Sequence, residues 1–212
     1  MGTPFDLEQL LRGYAERRAE LDRAGVVFVS DMTDGEAERF SKSVLLMAIE
    51  RRNRRDLPLT VYINSGGGAV GAGLAMMEIM ARVRRQYGLV IHTVVTGYAY
   101  SMGAILLQAG DHRVMGEFST LMLHGTQWML IGEDEKVFKD YLKLATHYQE
   151  VIGGLFAQRT GLHDAAWWRD YIYSGRDKFL SPQECLDLKL IDEVVRYDFG
   201  ANMRPPPVER PS

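Results

Sequence analysis

Two stretches of this 212-residue chain combine side chains and backbone suited to chemistry. The first is YINSGGGAVGAG, Tyr62 to Gly73, in which Gly66, Gly68 and Gly71 satisfy G-x-G-x-x-G. That spacing can cradle a dinucleotide pyrophosphate when an acidic residue about 20 positions on takes the ribose. Here the corresponding region, RRQYGLVIHTVVTGY, holds no Asp or Glu, and no G-K-[ST] follows the glycines. The amides of such a turn can hold any developing negative charge, not phosphate alone. The plainer reading is a tight strand–helix turn with close packing.

The second stretch is VVTGYAYSMGAILL, Val94 to Leu107. Ser101 stands where a β-branched run gives way to an apolar helix. A nucleophilic serine suits that junction, because the helix N-terminus favours negative charge and the following N–H can donate to an oxyanion. The alternative is an ordinary serine helix cap.

A serine nucleophile needs a base. Of the five histidines, His147 and His163 fall in or just after a long amphipathic helix, His92 is mid-strand, and His112 sits in a turn beside Asp111 and Arg113. His124 ends STLMLHG, so an apolar strand would deliver it to a loop, where an imidazole can be presented to substrate. A strand-end histidine bonded to backbone is the simpler alternative. For an orienting carboxylate the best candidate is Asp177 in SGRDKFLSPQE, which could equally form a surface pair with Arg176. Spacing alone does not bring the three together, since triads are defined by geometry and not by sequence order.

The elements expected to position these residues alternate. Strands are expected at Val26–Ser30, Leu59–Ile63 and Leu89–Val95, and helices over 5–23, from a cap at Asp34 to about Arg54, over Ala69–Arg85 and over Ser101–Ala109. This is an α/β pattern with a largely parallel, buried sheet. Short strands near Arg113–Met115 and Leu121–Leu123 precede a long helix from about Glu133 to Arg159. In that helix Val137, Tyr141, Leu144, Tyr148, Val151 and Leu155 form an apolar stripe long enough for part of it to face another subunit. Asp164 is expected to cap a further helix, and SPQE, from Ser181 to Glu184, reads as a capping box with Pro182 at the first helical position. The proline-rich segment 197–212 reads as a disordered tail.

Composition is that of one globular domain, 46% apolar and 25% charged, and the formal charge of −3 argues against broad binding to nucleic acid or acidic lipid. Cys185 is the single cysteine, so no intrachain disulfide or cysteine metal cluster is expected. The uncharged runs Pro58–Met77 and Gly88–Gly110 mix β-branched residues with glycines and hydroxyls, the pattern of buried strands turning into buried helices and not of membrane spans. The N-terminus carries no secretory pattern, so the expected location is the cytoplasm. The arginines of ERRNRRD, from Glu50 to Asp56, read as cations at a helix C-terminus.

Four separated motifs, YINSGGG, YSMGAILLQAG, LMLH and GRDKFLSPQE, resemble in order and spacing the proteolytic subunit of the Clp protease (ClpP). That family typically reads YINSPGG, A-S-M-G-A, M-I-H-Q-P and R-D-x-F-L-S-x-x-E-A. The resemblance covers about Val26 to Val195. It implies a ClpP/crotonase-like fold of repeated β-α units in a single domain over 1–196, with a protruding strand–helix handle at about 125–159. It also implies a serine endopeptidase with Ser101 as nucleophile, His124 as general base and Asp177 as its orienter, and an oxyanion hole from the Gly68 and Met102 amides. No metal or organic cofactor is implied. The implied partners are further copies of the chain in two stacked seven-membered rings, an AAA+ ATPase that feeds unfolded protein, and peptide substrates. The chain departs from the family at Gly66, where proline is usual, and at Tyr100, which replaces a small residue and is expected to narrow or reshape the site. It departs again in GTQWML after His124 and before the first helix, where the axial-loop pattern is missing. A non-catalytic ring subunit and a crotonase-fold acyl-CoA enzyme are the alternatives.

Overall fold

The computed structural model describes residues 16, 20, 21, 23–53, 57–125 and 134–198. The expected helix over 5–23 and the expected tail lie for the most part outside them. Tyr197, the first residue of that tail, is held: its amide donates to the Glu117 carboxylate and its ring stacks on Phe118 at 6.2 Å.

The elements alternate as the pattern required. They are β1 (Val26–Val29), α1 (Asp34–Glu50), β2 (Leu59–Ser65), α2 (Val70–Tyr87), β3 (Ile91–Tyr100), α3 (Met102–Leu107), β4 (His112–Gly116), β5 (Thr120–Leu123), α4 (Glu135–Thr160), α5 (Ala165–Ile172), β6 (Lys178–Leu180), α6 (Pro182–Asp187) and β7 (Glu193–Val195). The sheet runs β1-β2-β3-β4-β7, with β5 on β3 and β6 on β5. All pairings are parallel except β5–β6. The fold is therefore α/β with a parallel sheet, as expected.

Burial in the sheet differs from expectation. Leu59, Val61, Ile63 and Ser65 are buried while Thr60, Tyr62 and Asn64 are not, and β3 alternates in the same way. One face packs beneath the helices. The other carries Phe28 stacked on Tyr62 at 5.2 Å, with Phe28 largely exposed. A parallel sheet is usually covered on both faces; among the described residues only one is.

Strand β3 is longer than its apolar run suggested. His92 to Val95 pair with β4, and Tyr98 to Tyr100 pair with β5. Between the two halves, Gly97 at φ +91° lies where a Cβ would meet Asn64 Oδ1 at 2.7 Å, and the β2–β3 register shifts between Ile63 and Ser65. Glycine permits this irregularity, so the strand serves two neighbours in succession. The β-branched pattern ends at Val95, so periodicity alone stops there.

Two helix termini also differ. Thr33, not Asp34, caps α1, its hydroxyl accepting from the Glu36 amide. That helix ends at Glu50, and Arg51 is buried. Its guanidinium donates to the carbonyls of Pro58 at 3.2 Å and Arg23 at 2.5 Å. Arg51 is thus a tie between segments and more than a cation at a helix end. Asp164 caps α5, and Ser181 with Glu184 forms the full capping box of α6, as expected.

The stripe expected on α4 divides along its length. Ile152, Gly153, Phe156 and Thr160 are buried, and Phe156 packs against Trp168 of α5 at 5.1 Å. Toward the N-terminus, Phe138, Tyr141, Leu142 and Leu144 are exposed. No helix among the described residues is long and apolar enough to cross a membrane.

Candidate active site

The geometry starts at the end of β3. Ser101 has φ 54° and ψ −121°, a conformation that L-residues seldom adopt. Only Lys189 shares a positive φ among the described non-glycine residues. Such strain is held only where the surroundings over-determine it. Here α3 supplies that constraint, because all six of its residues are buried, and the Ser101 amide donates to the Met122 carbonyl of β5 at 2.9 Å. Ser101 occupies the N-cap position of α3, yet its side chain makes no capping hydrogen bond. The ordinary serine cap therefore does not describe it.

The glycine turn presses against this elbow. Gly67, at φ +102°, leaves no room for a side chain: a Cβ would stand 2.8 Å from the Ser101 Cβ and 3.1 Å from the Met102 nitrogen. Gly68, at φ +144°, abuts the Met32 carbonyl, which a Cβ would meet at 2.4 Å. The Ser65 hydroxyl accepts from the Gly67 amide at 3.1 Å and fixes the turn from beneath. Gly66 differs from both, with open space around a would-be Cβ. Met32 was not foreseen: it lies in a short loop after β1 with no motif around it, yet it bridges to Gly68 and its carbonyl accepts from the Ala69 amide at 2.8 Å.

Gly68, Ser101, Met102 and His124 line one cavity of about 500 Å³. Its apolar wall includes Leu144, Tyr148 and Ile152 of α4 together with Ile172 and Tyr173. No sequence signal marked Tyr148 or Tyr173 as site residues, since aromatic residues at helical spacing read as core. Tyr100 does not line the cavity, contrary to expectation. The buried neighbour Ala99 takes the inner face, so strand alternation sends Tyr100 to the opposite one.

Of the five histidines only His124 reaches this cavity. His112 is the first residue of β4 and not in a turn; its Nε2 lies 2.9 Å from Glu193, and its ring meets His92 edge-on at 5.5 Å. His147 is exposed on α4, and His163 stacks on Trp167 at 3.7 Å.

Asp177 is exposed and lies outside the cavity lining. The β5–β6 ladder pairs Leu121 with Leu180, Met122 with Phe179 and Leu123 with Lys178. His124 is the residue after the last rung on β5, and Asp177 the residue before it on β6. No hydrogen bond joins Ser101, His124 and Asp177 among the described residues, and Asp177 forms no ion pair with Arg176. The cavity thus gathers the side chains of Ser101 and His124 with Gly68 of the glycine turn and Met102 at the start of α3, while Asp177 stands outside its lining.

Cys185 is elsewhere, the buried residue of α6, where burial first and the Glu184 charge second push its thiol up to about 12. That thiol is not a candidate nucleophile.

A family model described as Clp protease matches residues 12–198. The ATP-dependent Clp protease proteolytic subunit 2 of Thermobifida fusca is 30% identical over 188 residues, spanning 86% of each chain. The proteolytic subunit of Deinococcus radiodurans is 29% identical over 201 residues, 91% of each. Subunit 3 of Parasynechococcus marenigrum is 30% identical over 208 residues, 93% of this chain and 97% of its own.

Proposed function

The chain belongs to the Clp protease family, and on that premise we propose that it is a serine endopeptidase subunit cleaving unfolded polypeptide through Ser101, His124 and Asp177. The observation that carries this reading is the strained Ser101 elbow, whose hydroxyl is unused for capping and opens into a cavity shared with His124.

The chemistry follows from the roles. His124 accepts the Ser101 proton as Oγ attacks the scissile carbonyl carbon. Charge then develops on the carbonyl oxygen, toward which the Gly68 and Met102 amides donate; each such donor is worth about 3–4 kcal/mol of transition-state stabilisation. His124 returns the proton to the departing amine, leaving an acyl-enzyme on Ser101. Water, deprotonated by His124, releases the acid. Asp177 orients the imidazole and balances its positive charge. The separation of these groups in the free protein suits a site that tightens only around substrate.

The apolar wall from α4 suits a substrate side chain entering the cavity. The single domain over 1–196, with a handle at about 125–159, is part of the same reading. So is assembly into stacked heptameric rings fed by an AAA+ unfoldase in the cytoplasm, without cofactor. The relatives' names, which call them ATP-dependent, and the exposed apolar residues Phe138 and Leu142 on α4 support it. The test is hydrolysis of a fluorogenic peptide by the assembled protein: Ser101→Ala and His124→Ala should each abolish it, and retention of turnover in either would overturn the assignment.

A further inference from the structure

Asp177 is exposed and makes no side-chain hydrogen bond or ion pair among the described residues. Its position therefore depends on the strand that follows it. That strand, β6, has three residues and is held by a three-rung ladder to β5. A second hold crosses the sheet. Tyr100, Met122 and Phe179 occupy one row across β3, β5 and β6. The Tyr100 and Phe179 rings meet edge-to-face over Met122, with centroids 5.7 Å apart. Tyr100 is itself braced, its hydroxyl 2.9 Å from Thr120 Oγ1 and its ring 4.8 Å from that of Tyr98. This row lies one residue before Ser101 on β3 and two residues after Asp177 on β6.

We propose that Tyr100 is a positioning residue: its contact with Phe179 clasps β6 to β3 and so fixes Asp177 relative to Ser101 and His124. The inference rests on the catalytic roles proposed above. One strand, β5, separates Tyr100 from Phe179, and the two strand spacings make a span of about 10 Å between backbones, which only large rings can bridge. Edge-to-face pairs of this kind prefer one geometry, so the clasp fixes register as well as proximity. On the opposite face of β6, Lys178 sits 4.9 Å above the Tyr171 ring, so the strand is gripped from both sides. The aromatic residue next to Ser101 thus serves the carboxylate two strands away and not the cavity, which it does not line.

The test is peptide hydrolysis by the full assembled chain with Tyr100→Ala, Tyr100→Phe and Phe179→Ala. Native mass and circular dichroism identify the variants that remain folded and assembled. Misplacing a catalytic group by about 1 Å can cost about 100-fold. Tyr100→Ala and Phe179→Ala should each lower kcat by about 10- to 100-fold with KM changed less than about threefold. Tyr100→Phe keeps the ring and should restore kcat to within about threefold. In an Asp177→Asn background, read by the rate at which a fluorophosphonate modifies Ser101, neither alanine variant should cost anything further. Equal losses with and without Asp177, or full kcat in both alanine variants, would overturn the clasp. If Ser101→Ala itself retains activity, it is the proposed catalytic role that fails.

Discussion

A Cβ built on Gly67 would lie 2.8 Å from the Cβ of Ser101, closer than real side chains approach. The glycine turn and the serine elbow are therefore one packed unit, and the turn needs glycine for contact as well as for its positive φ. Gly67→Ala should destabilise the protein by about 1–3 kcal/mol from backbone strain alone, and peptide hydrolysis should fall further than folding does, because Ser101 must move. Gly66→Ala is the matched control. That position has open space and no positive φ in the strained range, so alanine there should be neutral or stabilising by about 0.4–1 kcal/mol. Urea denaturation alongside turnover checks both.

The buried Arg113 makes a second test. It donates to Asp192 at 2.6 and 3.0 Å and to Gln108 at 2.8 Å, and its amide donates to the same carboxylate. Burial would raise the Asp192 carboxyl, but the hydrogen bonds and charge of Arg113 outweigh it and hold the group below its ordinary value. A carboxyl lowered on folding contributes stability above its unfolded value of about 3.9, and that stability is lost as pH falls through the folded value. Asp192→Asn leaves the guanidinium without its counter-charge and should cost about 2–3 kcal/mol at neutral pH, less than a fully enclosed pair because Asp192 is partly exposed. The difference from the parent should shrink as pH drops below about 4, as read by chemical denaturation across pH.

Cys185 provides a negative control for the chemistry. With its thiol pushed up to about 12, the thiolate population near neutral pH is about a thousandfold below that of a free cysteine. Iodoacetamide should leave the native protein unmodified and fully active, and should alkylate Cys185 only after denaturation. Intact-mass measurement before and after unfolding distinguishes the two.

Much of the fold could be read from local pattern. The β-branched runs before Ser65 and Val95, the Asp164 cap and the Ser181–Glu184 box are signals confined to a few neighbouring residues, and tertiary packing left them intact. Features decided by contact between distant segments were not legible. Strand β3 continues past its apolar run because β5 offers it a second edge. Arg51 leaves the helix-end role because the carbonyls of Arg23 and Pro58 converge on it. Thr33 and Asp34 are both competent caps, and only backbone geometry selects between them.

The site divides along the same line. Ser101 and His124 were visible as residues at the ends of strands, and they do line one cavity. That Ser101 leaves its hydroxyl uncommitted depends on its φ of 54°, which no residue type announces. The side to which Tyr100 points follows from the buried Ala99 before it, so alternation along β3 would have shown that it turns away from the cavity. Asp177 stands one residue before the first β6 rung and outside the cavity lining, so its link to His124 was legible only through the family resemblance.

The most direct measurement is covalent labelling of the assembled protein with a fluorophosphonate, followed by mapping of the modified residue by mass spectrometry. The account predicts one adduct per subunit, on Ser101, lost in Ser101→Ala and strongly slowed in His124→Ala. An assembled protein that takes no label, or takes it on a residue other than Ser101, would contradict it.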